Sequence, residues 1–187
     1  MISENYLEQQ KTLHQNPDYG VASIAFAPLV AQVIRANNSV SIADYGAGKK
    51  NLQKVLKAAG IDLPYFPYDP AFPEYGPAQA ADLVCCIDVL EHVEPEYIDA
   101  VLQDLHRIMP KLGFISIHTQ LAIKTLPDGR NAHLTVAPAS WWLPRLCKVF
   151  EIHQLQTHKL MGQGFWVLVS RATPAVTPPG NCPTTTE

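Results

Sequence analysis

Long hydrophobic runs are missing from this sequence, and none approaches the roughly 18 consecutive apolar residues of a membrane-crossing helix. The opening MISENYLEQQK is polar and acidic, unlike the basic-then-apolar pattern of an export signal, so a soluble cytoplasmic chain without a membrane partner is expected. Cysteine is scarce. Cys85 and Cys86 are neighbours in a strand-like run, while Cys147 and Cys182 stand alone, which excludes a disulfide framework and zinc-type spacing and fits a reducing compartment. Excess positive charge is lacking as well. A net charge of −3 offers no broad basic surface for neutralising phosphates, so non-specific nucleic-acid binding is not expected, although a local groove is left open.

What is present suffices for one domain: 187 residues, 47% of them hydrophobic, bury one sizeable core but not two. Residues 1–38 read as a helical cover, 39–171 as the central domain, and 172–187 as a disordered tail. Four prolines and five threonines in those last sixteen residues leave little apolar surface to offset ordering entropy.

Between these limits strand and helix periods alternate. Val40–Asp44 is a short apolar strand. A helix follows with Leu52, Val55, Leu56 and Ala59 at i, i+3, i+4, i+7, closed by Gly60. Leu63–Asp69 is a second strand, irregular because Pro64 and Pro67 cannot donate to a ladder. Ala81–Ile87 is apolar on both faces, as in a sheet covered by helices. A helix from Pro95 to Met109 carries the stripe Ile98, Val101, Leu102, Leu105 and Ile108. Phe114–Thr119 is the next strand, the polar loop KTLPDGRNAH follows, residues 138–149 are helical, and 152–160 with 164–170 close the chain as a strand pair. This order predicts a doubly wound, mostly parallel α/β sheet with a terminal hairpin.

Three segments carry chemistry. In SIADYGAGKKNLQKVL the strand ends in Asp44, and Gly46 and Gly48 allow a sharp turn and close backbone approach before a helix whose free amides face the same place. An ordinary glycine turn would also read this way. A P-loop does not, since GAGKK lacks the leading glycine and the following Ser or Thr. Asp69, 25 residues after Asp44, is placed as an acid that reaches ribose hydroxyls, although an aspartate before a proline is also a common turn residue. The third segment is CIDVLEHV, residues 86–93.

Together these resemble the class I S-adenosylmethionine (SAM) dependent methyltransferases, over roughly residues 40–170. The resemblance implies a Rossmann-like sheet with the last strand inserted antiparallel. It places Tyr45, Gly46, Ala47 and Gly48 along the methionine part of SAM, Asp44 and Asp88 near its amino group, Ile87 and Val89 on the pocket wall, and Asp69 on the ribose. Only eleven residues, 70–80, separate Asp69 from the next strand, which leaves no room for the family's outermost strand. An abridged sheet is expected, with adenine held by Pro70, Phe72 or Tyr75. Lys50 stands where many relatives have a third glycine. Glu91, His92 and His118 are the catalytic candidates, with His92 or His118 as base, though Glu91 and His92 also suit a helix start. A metal held by Glu91, His92, His118 and His133 is a lesser reading.

Residues 1–38 and the loop 120–137 would form the roof over a small-molecule or nucleotide-linked substrate, with Tyr19 and Gly20 as a hinge. Substrate contacts are assigned to Tyr19, Arg130, His133 and Trp142, Arg130 attracting an acidic group. Two other functions fit the first two motifs. One is a non-catalytic SAM- or nucleotide-binding module that recruits a protein at its open sheet edge. The other is an NAD(P)-dependent oxidoreductase.

Overall fold

A computed structural model describes residues 2–160 and 162–172; the expected disordered tail lies outside them from residue 173 onward. The elements in chain order are α1 (Glu4–His14), α2 (Ala22–Asn37), β1 (Ile42–Tyr45), α3 (Asn51–Ala58), β2 (Tyr65–Tyr68), β3 (Leu83–Ile87), α4 (Ile98–Ile108), β4 (Leu112–His118), α5 (Ala139–Leu146), β5 (Phe150–His158) and β6 (Gly164–Arg171).

The strands form one six-stranded sheet in the order β2-β1-β3-β4-β6-β5. The first four are parallel, and β6 enters antiparallel between β4 and β5. β2 is the edge, so the outermost strand of the family pattern is absent as expected. That position also explains the prolines: β2 pairs only with β1, and the Pro64 carbonyl accepts from the Ile42 N–H while neither ring needs to donate.

The period of two divides each central strand between two cores. Ile42, Leu83, Cys85, Ile87 and Phe114 face α2 and α3, where Phe26, Val30, Ile34, Leu52 and Leu56 are buried. Ala43, Val84, Cys86, Ile115 and Ile117 face the stripe of α4 and Trp142 and Leu146 of α5. Within the helical cover of residues 1–38, α2 packs on the sheet as one layer of the sandwich, and α1 and the connection to residue 21 stand outside it. Trp142 is corrected, because it is fully buried in the second core rather than facing a cleft.

Candidate active site

The parallel strands end at one edge, and there the chain turns over itself. Gly46 takes φ +79° and Gly48 φ +46°, the left-handed region that favours glycine, and a Cβ on Gly46 would collide with Val89. Lys50 also lies in that region, at φ 57°. Its ammonium stands 4.7 Å over the Tyr75 ring. Both Gly46 and Ala47 donate their N–H to the Tyr68 carbonyl, at 2.7 and 3.0 Å. Gly48 donates to Asp69 Oδ2 at 2.9 Å, while Asp69 Oδ1 accepts from Ala71 at 2.8 Å. The His14 ring closes this corner, edge-on to Phe72 at 5.0 Å and against Gly48.

A cavity of about 460 Å³ opens at this edge. Its floor includes Asp44, Gly46, Ala47, Ile87, Asp88 and Val89. Asp44 is buried, and its carboxyl is pushed up to about 7 by burial, offset in part by the hydrogen bond from the Tyr65 hydroxyl. Asp88, at φ 50°, accepts from the Ser116 hydroxyl at 2.6 Å, and burial raises its carboxyl as well.

Histidines form the opposite wall. The rings of His92 and His133 meet at 4.7 Å and those of His133 and His118 at 4.8 Å. His92 Nδ1 lies 2.8 Å from the Ala132 carbonyl and His133 Nδ1 lies 2.6 Å from the Gln120 carbonyl, so each must donate there and present Nε2 as the basic nitrogen. Burial, with His133 next to it, pushes His92 down to about 3. His133 is lowered by burial too, against the pull of the Gln120 carbonyl. Behind them Glu91 is fully buried. Its Oε1 accepts from the His118 N–H at 2.9 Å, its Oε2 has no partner, and burial holds the carboxyl well above its usual range.

The roof comes from two segments clasped together. Asn131 grips both backbone groups of Ala122, at 2.9 and 2.8 Å, folding residues 122–131 into a tight loop. α1 docks on it through Gln9, which donates to Asp128 at 2.9 Å, and is anchored at its start where the Ser3 N–H and hydroxyl donate to Glu94. Lys49 and Asn51 hold the α1–α2 connection by the carbonyls of Asn16, Tyr19 and Gly20.

A family model described as a methyltransferase domain matches residues 22–163. The chain belongs to this family. The methyltransferase resembles in fold a crystal structure of Burkholderia thailandensis 1,6-didemethyltoxoflavin-N1-methyltransferase with bound 1,6-didemethyltoxoflavin and S-adenosylhomocysteine (SAH), at 12% identity, TM-score 0.65 and 92% coverage of each chain. It also resembles magnesium protoporphyrin IX methyltransferase from Synechocystis PCC 6803 with bound SAM, at 12% identity and TM-score 0.58, over 90% of this chain and 92% of that one. A search of curated proteins finds no match. Family and fold together are those of a SAM-dependent methyltransferase, which sets aside the nicotinamide reading.

The residues fit SAM best at its amino-acid end, where Asp44 and Asp88 present carboxylates to a cationic ammonium. Asp69, its oxygens taken by the Gly48 and Ala71 N–H groups, is not among the residues lining either cavity, while Pro70 lines a second cavity of about 80 Å³ that shares Gln10, Gly46, Val89 and His92 with the first. Tyr75 donates to the Gly48 carbonyl at 2.9 Å and its ring stacks on Phe72. Tyr19, His92, His118 and His133 reach the large cavity. Tyr45 is not on the large cavity: it packs in the core, borders the second cavity beside Pro70 and donates to Asp104 at 3.1 Å.

Two further assignments are corrected. Glu91 is shut behind the wall and positions the His118 backbone rather than touching a ligand. Arg130 lies outside the cavity, paired with Asp128 at 2.7 Å because the turn LPDGR folds the two side chains together. Among the described residues no group of three or more His, Cys, Asp or Glu is arranged to hold a metal ion. Sequence reasoning missed His14, Gln10 and Lys124 on the cavity wall. Lys124 sits in the polar loop that was singled out, but no motif distinguished it from Arg130.

Proposed function

We propose that this methyltransferase moves the methyl group of SAM to an oxygen or nitrogen of a small-molecule acceptor held between the sheet edge and the histidine wall. The observation that carries this is one cavity bounded by Asp44, Gly46 and Asp88 on one side and by His92, His118 and His133 on the other. When bound, SAM supplies an electrophilic methyl on a sulfonium. Asp44 and Asp88 hold its ammonium, and the roof excludes water and orients the acceptor in line with the methyl. His133 is the base: neutral because burial disfavours its cation, it takes the acceptor's proton at Nε2 as the new bond to carbon forms and the carbon–sulfur bond breaks. His92, fixed by the Ala132 carbonyl, positions the His133 ring. A cytoplasmic setting belongs to the same proposal, supported by the buried free thiols of Cys85 and Cys86.

The test is turnover with methyl-labelled SAM across a panel of phenols, amines and heterocycles, reading labelled product and SAH. His133→Ala should lower kcat by roughly a hundred-fold or more and leave SAH affinity unchanged. A wild-type protein that binds SAH yet turns over no acceptor overturns the catalytic reading, and full activity in His133→Ala overturns the choice of base.

A further inference from the structure

Lys124 lines the cavity and, among the described residues, has no ion-pair partner. Lys124 Nζ is shielded from solvent and has no hydrogen-bond partner. The other lysines at this face are engaged: Lys49 donates to the Asn16 and Tyr19 carbonyls, and Lys50 stands over Tyr75. The Lys124 ammonium stands 5.8 Å from the Tyr19 ring centroid, and no carboxylate lies within ion-pair distance of it among the described residues. Its backbone is held in place, since the Lys124 carbonyl accepts the Ala132 N–H at 3.0 Å and the Thr125–Asn131 bridge follows directly, so the ammonium meets a ligand by a turn of the side chain alone. Burying an ammonium without a counter-charge is costly, so a site that keeps one is complete only when an anion arrives.

The residues beside it describe the rest of the ligand. Leu121 and Ile123 also line this cavity, and they are 66% and 103% exposed, two large apolar side chains at the mouth with nothing covering them. Two exposed apolar side chains and an unpaired lysine thus line one cavity. The acids on the wall, Asp44 and Asp88, stand at the ends of β1 and β3, whereas Lys124 comes from the loop after β4.

We propose that the methyl acceptor is an amphipathic anion, an apolar or aromatic body carrying a carboxylate or similar monoanion, whose charge pairs with Lys124 while its body rests on Leu121 and Ile123. This rests on the reading of the cavity as a SAM-dependent active site. It replaces Arg130, the loop's other cation, as the group that selects an acidic substrate. The amino-acid end of SAM also bears a carboxylate, and the test separates the two sources.

The full-length protein, saturated with SAH, is screened by ligand-observed NMR against aromatic carboxylic acids and their matched primary amides. The expected result is that acids bind and their amides bind roughly ten-fold more weakly or not at all. Lys124→Met should abolish that preference, Lys124→Arg should retain it, and SAH affinity measured by calorimetry should be the same in all three. Acids and amides retained equally by the wild type, or no acid retained, overturns the proposal. So does a ten-fold loss of SAH affinity in Lys124→Met, which would assign the ammonium to the cofactor's own carboxylate. Failure of the wild type to bind SAH at all is a different outcome: it strikes the SAM-site reading, and the acid-over-amide preference, measured in parallel without SAH, then stands or falls on its own.

Discussion

Asp44 shows how a single buried group ties cofactor binding to pH. Its folded-state carboxyl titrates at about 7 because burial disfavours the charge, well above the ordinary aspartate range that applies when the chain is unfolded. Between those two values the folded protein holds a proton that the unfolded chain has released. Stability from this group is therefore complete at low pH and is lost as pH rises through about 7. Asp44→Asn, which cannot ionise, should melt at a higher temperature than wild type at about pH 8 in the absence of cofactor, with the difference vanishing near about pH 4. Binding has the opposite slope. A cationic ammonium needs the ionised carboxylate, so SAH affinity in the wild type should climb between about pH 5 and pH 8 and lose most of that dependence in Asp44→Asn. Calorimetry at several pH values checks both slopes, and a flat wild-type profile would remove Asp44 from the ammonium site.

At the scale of elements, the β1–α3 turn is the piece whose shape the site cannot do without. Gly46 is held by its own left-handed backbone and by contact with Val89, the residue that follows Asp88 on the cavity floor. Gly60, at φ +76°, needs the same backbone freedom but has nothing within 4 Å of the place a Cβ would take. Gly60→Ala should thus cost only the backbone strain, about 1–2 kcal/mol in urea unfolding. Gly46→Ala should cost that and a collision as well, and should weaken SAH binding because Val89 must be pushed into the cavity. Equal destabilisation of the two variants, with SAH affinity intact, would mean that the turn relaxes around the added methyl. The roof elements follow another logic: α1 buries Tyr6 but is otherwise attached by polar contacts at Ser3 and Gln9, and the connection after it by Lys49, which suits a segment that must yield to let a ligand in.

On the scale of the whole molecule, the two cores decide which aromatic residues are available for chemistry. Trp142 fills the layer between α4, α5 and the sheet, and its indole N–H has no partner there. Trp142→Ala should destabilise the protein by about 3–5 kcal/mol, while Trp142→Phe, which keeps a ring and removes an unsatisfied donor, should cost distinctly less. SAH affinity measured well below the melting temperature should be unchanged in both. A selective loss of acceptor binding in a stably folded Trp142→Phe would return this residue to the substrate site.

The succession of strands and helices along the chain, the glycine turn, the missing outer strand and the acids at the sheet edge were legible in the sequence, because each depends on local periodicity, turn chemistry or the length of one connection. Eleven residues between Asp69 and the next strand leave no space for a helix and a strand whatever the rest of the chain does. What only the tertiary structure decided is which side of an element each long polar or aromatic side chain meets. Arg130 and Lys124 are six positions apart in one loop, and nothing local tells that the first is neutralised by Asp128 across a tight turn while the second is sealed into the cavity unpaired. Likewise Trp142 read as a cleft residue and proved to be packing. Burial and pairing are set by segments distant in the chain, and their free energies are those of the assembled whole rather than of any window of sequence.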